Sequence, residues 1–214
     1  MLIRALTVGI VTGFIVVPPQ GGDCVTIGTP KPTVGYTYQH RDSSGTVSQY
    51  TQHWDEVTPT GSRLRVVRGT NVTIQINEHH IEDDVSVIDA TTSSDAGGRV
   101  TSKTTFRPGV VGDPAFRACA GRSWPIRAAT VRHSSAQGNA SAPTYAGTLT
   151  IVAIREAVTV PAGRFETVHY TRTQTTPVGK SVDEYWKSID HGVIVKHTSK
   201  VPGGALTEVL QSIR

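Results

Sequence analysis

Apolar and polar residues alternate along most of this chain with a period of two. The cleanest run sets Val72, Ile74 and Ile76 against Thr73, Gln75 and Asn77, the pattern of a strand with one buried face. Just before it, residues 63–68 alternate with Leu64 and Val66 on one side, and Gly69-Thr70-Asn71 joins the two runs as a hairpin turn. Residues 34–40 and 47–54 flank the turn cluster Arg41-Asp42-Ser43-Ser44-Gly45 and read as another hairpin, with Tyr50, Gln52 and Trp54 on one face. Further strands are expected at residues 85–88, 99–106, 126–133, 148–154, 165–172, 184–187, 193–199 and 206–213.

Between them lie turn and loop compositions. Residues 93–98 and 134–143 read as polar loops. Pro177-Val178-Gly179-Lys180 and Pro202-Gly203-Gly204 read as tight turns. Residues 107–123 hold Pro108, Gly109, Gly112, Pro114 and Gly121 and read as an irregular crossing between two parts of the sheet. No long helical period occurs; residues 206–214 could form a short helix, but Gly203-Gly204 favours a hairpin arm. About eleven to thirteen strands joined by short turns predict an all-β fold. The expected architecture is a strongly curved antiparallel sheet, an open half-barrel or a sandwich, in one domain over residues 24–214.

The first 23 residues break the pattern. Arg4 is followed by an apolar stretch over residues 5–17, then Pro18, Pro19 and Gly21-Gly22. This is the layout of a secretory signal peptide, and the stretch falls short of the ~20 apolar residues of a membrane span. Export changes the reading of the cysteines. Cys24 and Cys119 are the only two, and in an exported chain they most simply form one disulfide. Two free thiols, or a lipid on Cys24, are the alternatives. The mature protein is expected in the periplasm or outside the cell, with no transmembrane anchor after cleavage.

Composition narrows the partners. The chain has 214 residues, 37% hydrophobic and 18% charged, with a net charge of +4. That is a folded chain with enough core to need no metal. Its basic residues are scattered and not interleaved with aromatics, which argues against a nucleic-acid surface.

Candidate chemistry is sparse. The richest polar cluster, His79-His80-Ile81-Glu82-Asp83-Asp84, holds metal-ligand types. On a strand, however, His79 and His80 would point to opposite faces, and an exposed loop is the simpler reading. Asp190-His191 precedes Gly192 in a turn composition. Glu156 and Glu166 flank a Pro-Ala-Gly turn and could face each other across it. No Gly-x-Ser-x-Gly elbow, phosphate loop, His-Glu-x-x-His or Cys-x-x-Cys occurs. No catalytic residue, metal site or cofactor is assigned.

One stretch carries a family likeness. Val160-Pro161-Ala162-Gly163-Arg164-Phe165-Glu166-Thr167 is followed by Tyr185-Trp186, Gly192 and Lys196 and preceded by Gly121-Arg122-Ser123-Trp124. Over residues 119–213 this resembles exported bacterial proteins of unknown function of the DUF3108 type. The stretch between Trp186 and Gly192 lacks the proline usual there. The resemblance implies a curved antiparallel sheet in the bacterial envelope, related to architectures that hold lipids in a concave face. In physical terms, Pro161 ends a strand, Gly163 permits a positive φ, and Phe165 and Trp186 anchor the core; Gly192 leads the next strand.

Three functions follow as expectations. The first is a non-enzymatic envelope protein binding a lipid or other apolar ligand on the curved sheet, with Tyr185, Trp186 and Trp124 as contacts. The second is a protein–protein interaction or scaffold module acting through sheet edges. The third is an envelope-polymer hydrolase, which requires two of His79, His80, Asp190, His191, Glu156 and Glu166 in one pocket.

Overall fold

The computed structural model describes residues 23–144, 146–176, 179–201 and 204–214. The predicted signal segment, apart from Asp23, lies outside the described residues, as do residues 177–178 and 202–203 of the two predicted turns. The described residues form sixteen strands. The first half holds β1 (Cys24–Thr26), β2 (Gly35–Arg41), β3 (Val47–Thr58), β4 (Gly61–Arg68), β5 (Asn71–Glu82), β6 (Val85–Asp95) and β7 (Val100–Pro114). Short strands β8 (Arg117–Cys119), β9 (Ser123–Ile126), β10 (Thr130–Ser135) and β11 (Gly138–Pro143) follow. The chain ends with β12 (Gly147–Val160), β13 (Gly163–Thr176), β14 (Gly179–Ser188), β15 (Ile194–Val201) and β16 (Gly204–Ile213).

Fourteen strands make one antiparallel sheet, ordered β11-β10-β7-β6-β5-β4-β3-β2-β16-β15-β14-β13-β12-β9. The sheet is all-β and strongly curved, as the alternation predicts, and it does not close: β11 and β9 are its two edges. Residues 206–213 are strand, not helix, paired to β15 and β2.

Curvature brings the two arms of the sheet together. One core joins Val85 and Val110 from β6 and β7 to Trp124, Ile126, Leu149, Ile151, Val168 and Tyr170 from β9, β12 and β13. A second gathers Tyr36, Tyr38, Val160, Trp186, Val195 and Leu210. The β12–β13 hairpin supplies both. Its register slips between Ile151 and Ala153 and again before Glu156, and Arg155 takes φ 57°. Such bulges bend a strand sharply. The tip then reaches β16, where the Ala162 N–H donates to the Leu210 carbonyl at 3.3 Å.

Three expectations are corrected. Residues 107–114 belong to β7, not to an irregular crossing. The glycines there are close-approach sites: a Cβ on Gly109 would lie 2.7 Å from Val87, and one on Gly112 2.6 Å from the Ser86 hydroxyl. Residues 134–143 are mostly the β10–β11 hairpin, an exposed edge whose polarity reflects solvent on its surface. His79 to Glu82 continue β5, because the chain reverses only at Asp83 and Asp84. Both take positive φ, 52° and 69°, a conformation that aspartate tolerates in two-residue hairpin turns.

The disulfide is present. Cys24 and Cys119 lie directly opposite in the β1–β8 ribbon and are bonded. They close a loop with a sequence separation of 95 residues. Exchanging both cysteines for serine is expected to remove about 4–5 kcal/mol of stability in the chain-entropy account. Urea denaturation with and without reductant checks this: the parent midpoint should fall on reduction, and the double-serine variant should not respond.

Candidate functional site

The curved sheet holds a cavity of about 280 Å³ that is partly open to solvent. Strands β3 to β6 supply one wall, with Trp54, Val57, Ile81 and Ile88 as apolar lining. The β14–β15 turn supplies another through Lys187, Gly192, Val193 and Ile194, with Phe116 and Pro30 nearby. Two glycines allow that approach. The Gly28 N–H donates to the Ile189 carbonyl at 2.7 Å. A Cβ on Gly192, whose φ is +64°, would sit 2.1 Å from the Gly28 oxygen. Only glycine fits this position.

The polar groups of the cavity are ordered by hydrogen bonds. Gln75 Nε2 donates to Asn77 Oδ1 at 2.9 Å, and Asn77 Nδ2 to Ser62 Oγ at 3.2 Å. His79 Nε2 lies 3.1 Å from the Thr58 carbonyl, so that nitrogen is the donor. The centre of the arrangement is Lys187. Its ammonium pairs with Asp113 Oδ2 and donates to the Pro114 carbonyl at 2.8 Å. Ser86 Oγ donates to the other Asp113 oxygen at 2.8 Å. The Lys187 side chain is only 10% exposed, against 39% for Asp113.

Electrostatics follow from this packing. Burial opposes ionisation of Asp113, but the Lys187 charge and the hydrogen bonds from Lys187 and Ser86 together outweigh it. They hold the carboxyl below its ordinary range. Tyr38 and Tyr50 are pushed far above theirs, first by burial and then by the Glu208 carboxylate. Both phenols therefore stay protonated at neutral pH.

The residues singled out in the sequence lie elsewhere. Trp186 is buried, stacked on His169 at 4.4 Å, with Lys196 Nζ 4.3 Å from its ring centre. Its indole N–H donates to Glu156 Oε1 at 2.9 Å. Tyr185 is sandwiched between Tyr170 and His197, at 4.9 and 4.3 Å. Trp124 is buried, donates to the Asp83 carbonyl at 2.9 Å, and borders a separate recess beside His80 and Arg127. None of the three lines the cavity around Lys187. Pro161 and Ala162 make the turn between paired Val160 and Gly163, and Gly163 takes φ 138°. Phe165 packs edge-on to His191, which also meets Tyr36.

The pairs needed for hydrolysis do not assemble. His79 faces the cavity, while His80 bonds Asp89 at 2.8 Å on the outer side. Glu156 accepts from His169 and Trp186. Glu166 is held by Arg155 at 3.5 Å and stands opposite Ala157, not Glu156. Asp190 and His191 sit in the turn before Gly192. Of the six candidates only His79 lines the cavity. Among the described residues, no group of three or more His, Cys, Asp and Glu could hold a metal ion.

Lys187, Asp113, Ser86 and Glu208 are the groups that sequence reasoning missed. Asp113 stands in a Gly-Asp-Pro stretch that reads as a loop, and Lys187 follows Trp186 as any solvent-facing strand residue would. A partner 74 residues away leaves no local trace.

No family model matches the chain, and no curated protein matches it. Two solved structures are similar in architecture. One is described as an exported protein with a YmcC-like fold, from Bacteroides fragilis. It is 12% identical, with 89% of this chain and 100% of that one covered, at a TM-score of 0.42. The other is the hypothetical lipoprotein YmcC from Escherichia coli, 11% identical, with 83% and 84% covered and a TM-score of 0.42. Neither likeness bears on function.

Two outcomes are expected from substitution. Asp113→Asn leaves the Lys187 ammonium without its anion and should cost about 1–3 kcal/mol in urea denaturation at neutral pH. Because the Asp113 pKa is lowered on folding, its contribution is present above the unfolded value and lost as pH falls through the folded one. The gap between parent and variant should therefore narrow in acid. Trp186→Ala should cost about 3–5 kcal/mol, the range for a buried aromatic, measured the same way.

Proposed function

We propose that this is a non-enzymatic protein of the cell envelope that binds an apolar small molecule, such as a lipid, inside the curved sheet. The observation that carries this reading is the cavity itself. A sheet packed solid would leave no room, as small barrels are often filled by their own side chains. Here about 280 Å³ stays open between Trp54, Ile81, Ile88 and Ile194, near the lower end of ligand-pocket volumes, roughly 300 Å³. Several of the polar groups in its lining, Ser62, Asn77, His79, Ser86, Asp113 and Lys187, are already oriented by hydrogen bonds, as in sites that fix one end of a ligand. Asp113 is committed to Lys187 and Ser86, which argues against its use as a base.

The envelope location is supported by the apolar segment over residues 5–17 and by the Cys24–Cys119 bond, since disulfides persist in oxidising compartments. Kinship with exported proteins of the DUF3108 type is part of the same proposal. A second reading, interaction through a sheet edge, is favoured by β11. All six of its residues are exposed, and none is charged. Edges are usually guarded by charge or cover.

A neutral fluorescent probe, N-phenyl-1-naphthylamine, tests the first reading. It should brighten on binding one site per chain, and Ile81→Trp, which fills the cavity, should abolish that response while leaving the β-sheet circular dichroism unchanged. Equal brightening in both proteins would contradict cavity binding.

A further inference from the structure

We infer that the cavity prefers an apolar molecule carrying one positive charge, of the alkylammonium class, over the neutral or anionic molecule with the same chain. This deepens, and rests on, the reading of the cavity as a binding site. The charges of the lining do not balance. One ammonium, Lys187, and two carboxylates, Asp113 and Glu208, line the cavity. Lys187 and Asp113 neutralise each other. The Glu208 side chain is 20% exposed, and its ion-pair contact among the described residues is His40 at 3.7 Å, which is cationic only when protonated. Arg68 lies over the Tyr50 ring at 4.9 Å, exposed to solvent, and makes no ion pair with Glu208 among the described residues. Tyr38 and Tyr50 add no charge, since burial and then the Glu208 carboxylate keep both phenols protonated. One negative charge is left in excess.

Head and tail have separate places. Glu208 on β16 stands between His40 on β2 and His197 on β15, directly opposite each. Ile81 and Ile88 line the same cavity from β5 and β6, further round the sheet. A largely buried carboxylate without a fixed cation is costly. An entering ammonium relieves that cost with a charge-assisted hydrogen bond. An alcohol can donate to the same oxygen but brings no charge, and a second carboxylate is repelled. The apolar walls, Val57, Ile81 and Ile88, take the chain. The protein as a whole carries +4, so a preference for a cation runs against its overall field and reports the local site.

Competition against N-phenyl-1-naphthylamine at neutral pH tests this, using octylammonium, octanol and octanoate at concentrations where none of them aggregates. Octylammonium should displace the probe at roughly five- to tenfold lower concentration than octanol, the scale of one partly screened ion pair, and octanoate should be the weakest of the three. Glu208→Gln removes the excess carboxylate and should bring the ammonium-to-alcohol ratio close to one. Should that variant lose its β-sheet circular dichroism, the order of the three ligands on the parent decides. Octylphosphocholine separates a free amine from a zwitterionic lipid head: it should displace no better than octanol, and displacement equal to that by octylammonium overturns the assignment to a monocation. Octylammonium no better than octanol, or a full ammonium preference kept in folded Glu208→Gln, overturns the selectivity and leaves cavity binding intact. Failure of the probe to bind the parent protein overturns both.

Discussion

One ammonium fastens this fold across its middle. Lys187 belongs to β14, far along the chain, while Asp113 and Pro114 end β7, on the other arm of the same sheet. The two arms of the fourteen-stranded sheet are joined by the short stretch between β7 and β9 and by the apolar core that packs β6 and β7 against β9, β12 and β13. The Lys187 contacts add a polar tie between the arms where the cavity lies. Their worth is less in Coulomb attraction, which the partial exposure of Asp113 dilutes, than in the cost of leaving a nearly buried ammonium unpaired. Ser86 holds the carboxylate from a third strand, β6. The disulfide pins β1 beside β8, and the Gly28–Gly192 contact lets the chain after β1 lie against the β14–β15 turn.

A second set of contacts braces the sheet from the β12–β13 hairpin. Its bulge at Arg155 turns Glu156 toward Trp186 and His169, and the carboxylate satisfies one nitrogen of each. The stacked His169 and Trp186 rings, with Lys196 over the indole, use the aromatic faces fully. Trp186 is thus occupied by the fold. Its neighbour Tyr185 points the other way and joins the stack of Tyr170 and His197. Adjacent strand residues divide their work between two environments, as a period of two requires.

That period is why so much of the architecture was legible. The run at residues 63–68 reports its buried face correctly, with Leu64 and Val66 in the core, but the run at 72–77 reports only the strand: Ile76 is exposed and Asn77 lines the cavity, so the apolar set lies on the outer face there. The β-sheet class followed from the alternation, and the cysteine pair from the export signal and from there being only two cysteines. Strand ends and connections were less legible. Residues 107–114 are rich in proline and glycine because β6 comes too close for larger side chains, a tertiary demand that imitates a loop. The acidic end of β5 looked like a loop because its turn is built from two aspartates instead of glycine. The site was hardly legible at all. Lys187, Asp113 and Glu208 acquire meaning only when the sheet curls, and nothing in their neighbours signals it. The aromatics that stood out, Trp186 and Trp124, stood out because they hold the core.

The structure thus joins a sheet that curls, a core and an ion pair that bridge its arms, and a partly apolar space left inside. Native mass spectrometry of the protein purified without refolding tests that connection most directly. The account predicts one apolar molecule retained per chain, with the Ile81→Trp variant flying at its bare mass. A parent protein that also flies at its bare mass, with no apolar compound in its organic extract, would contradict it.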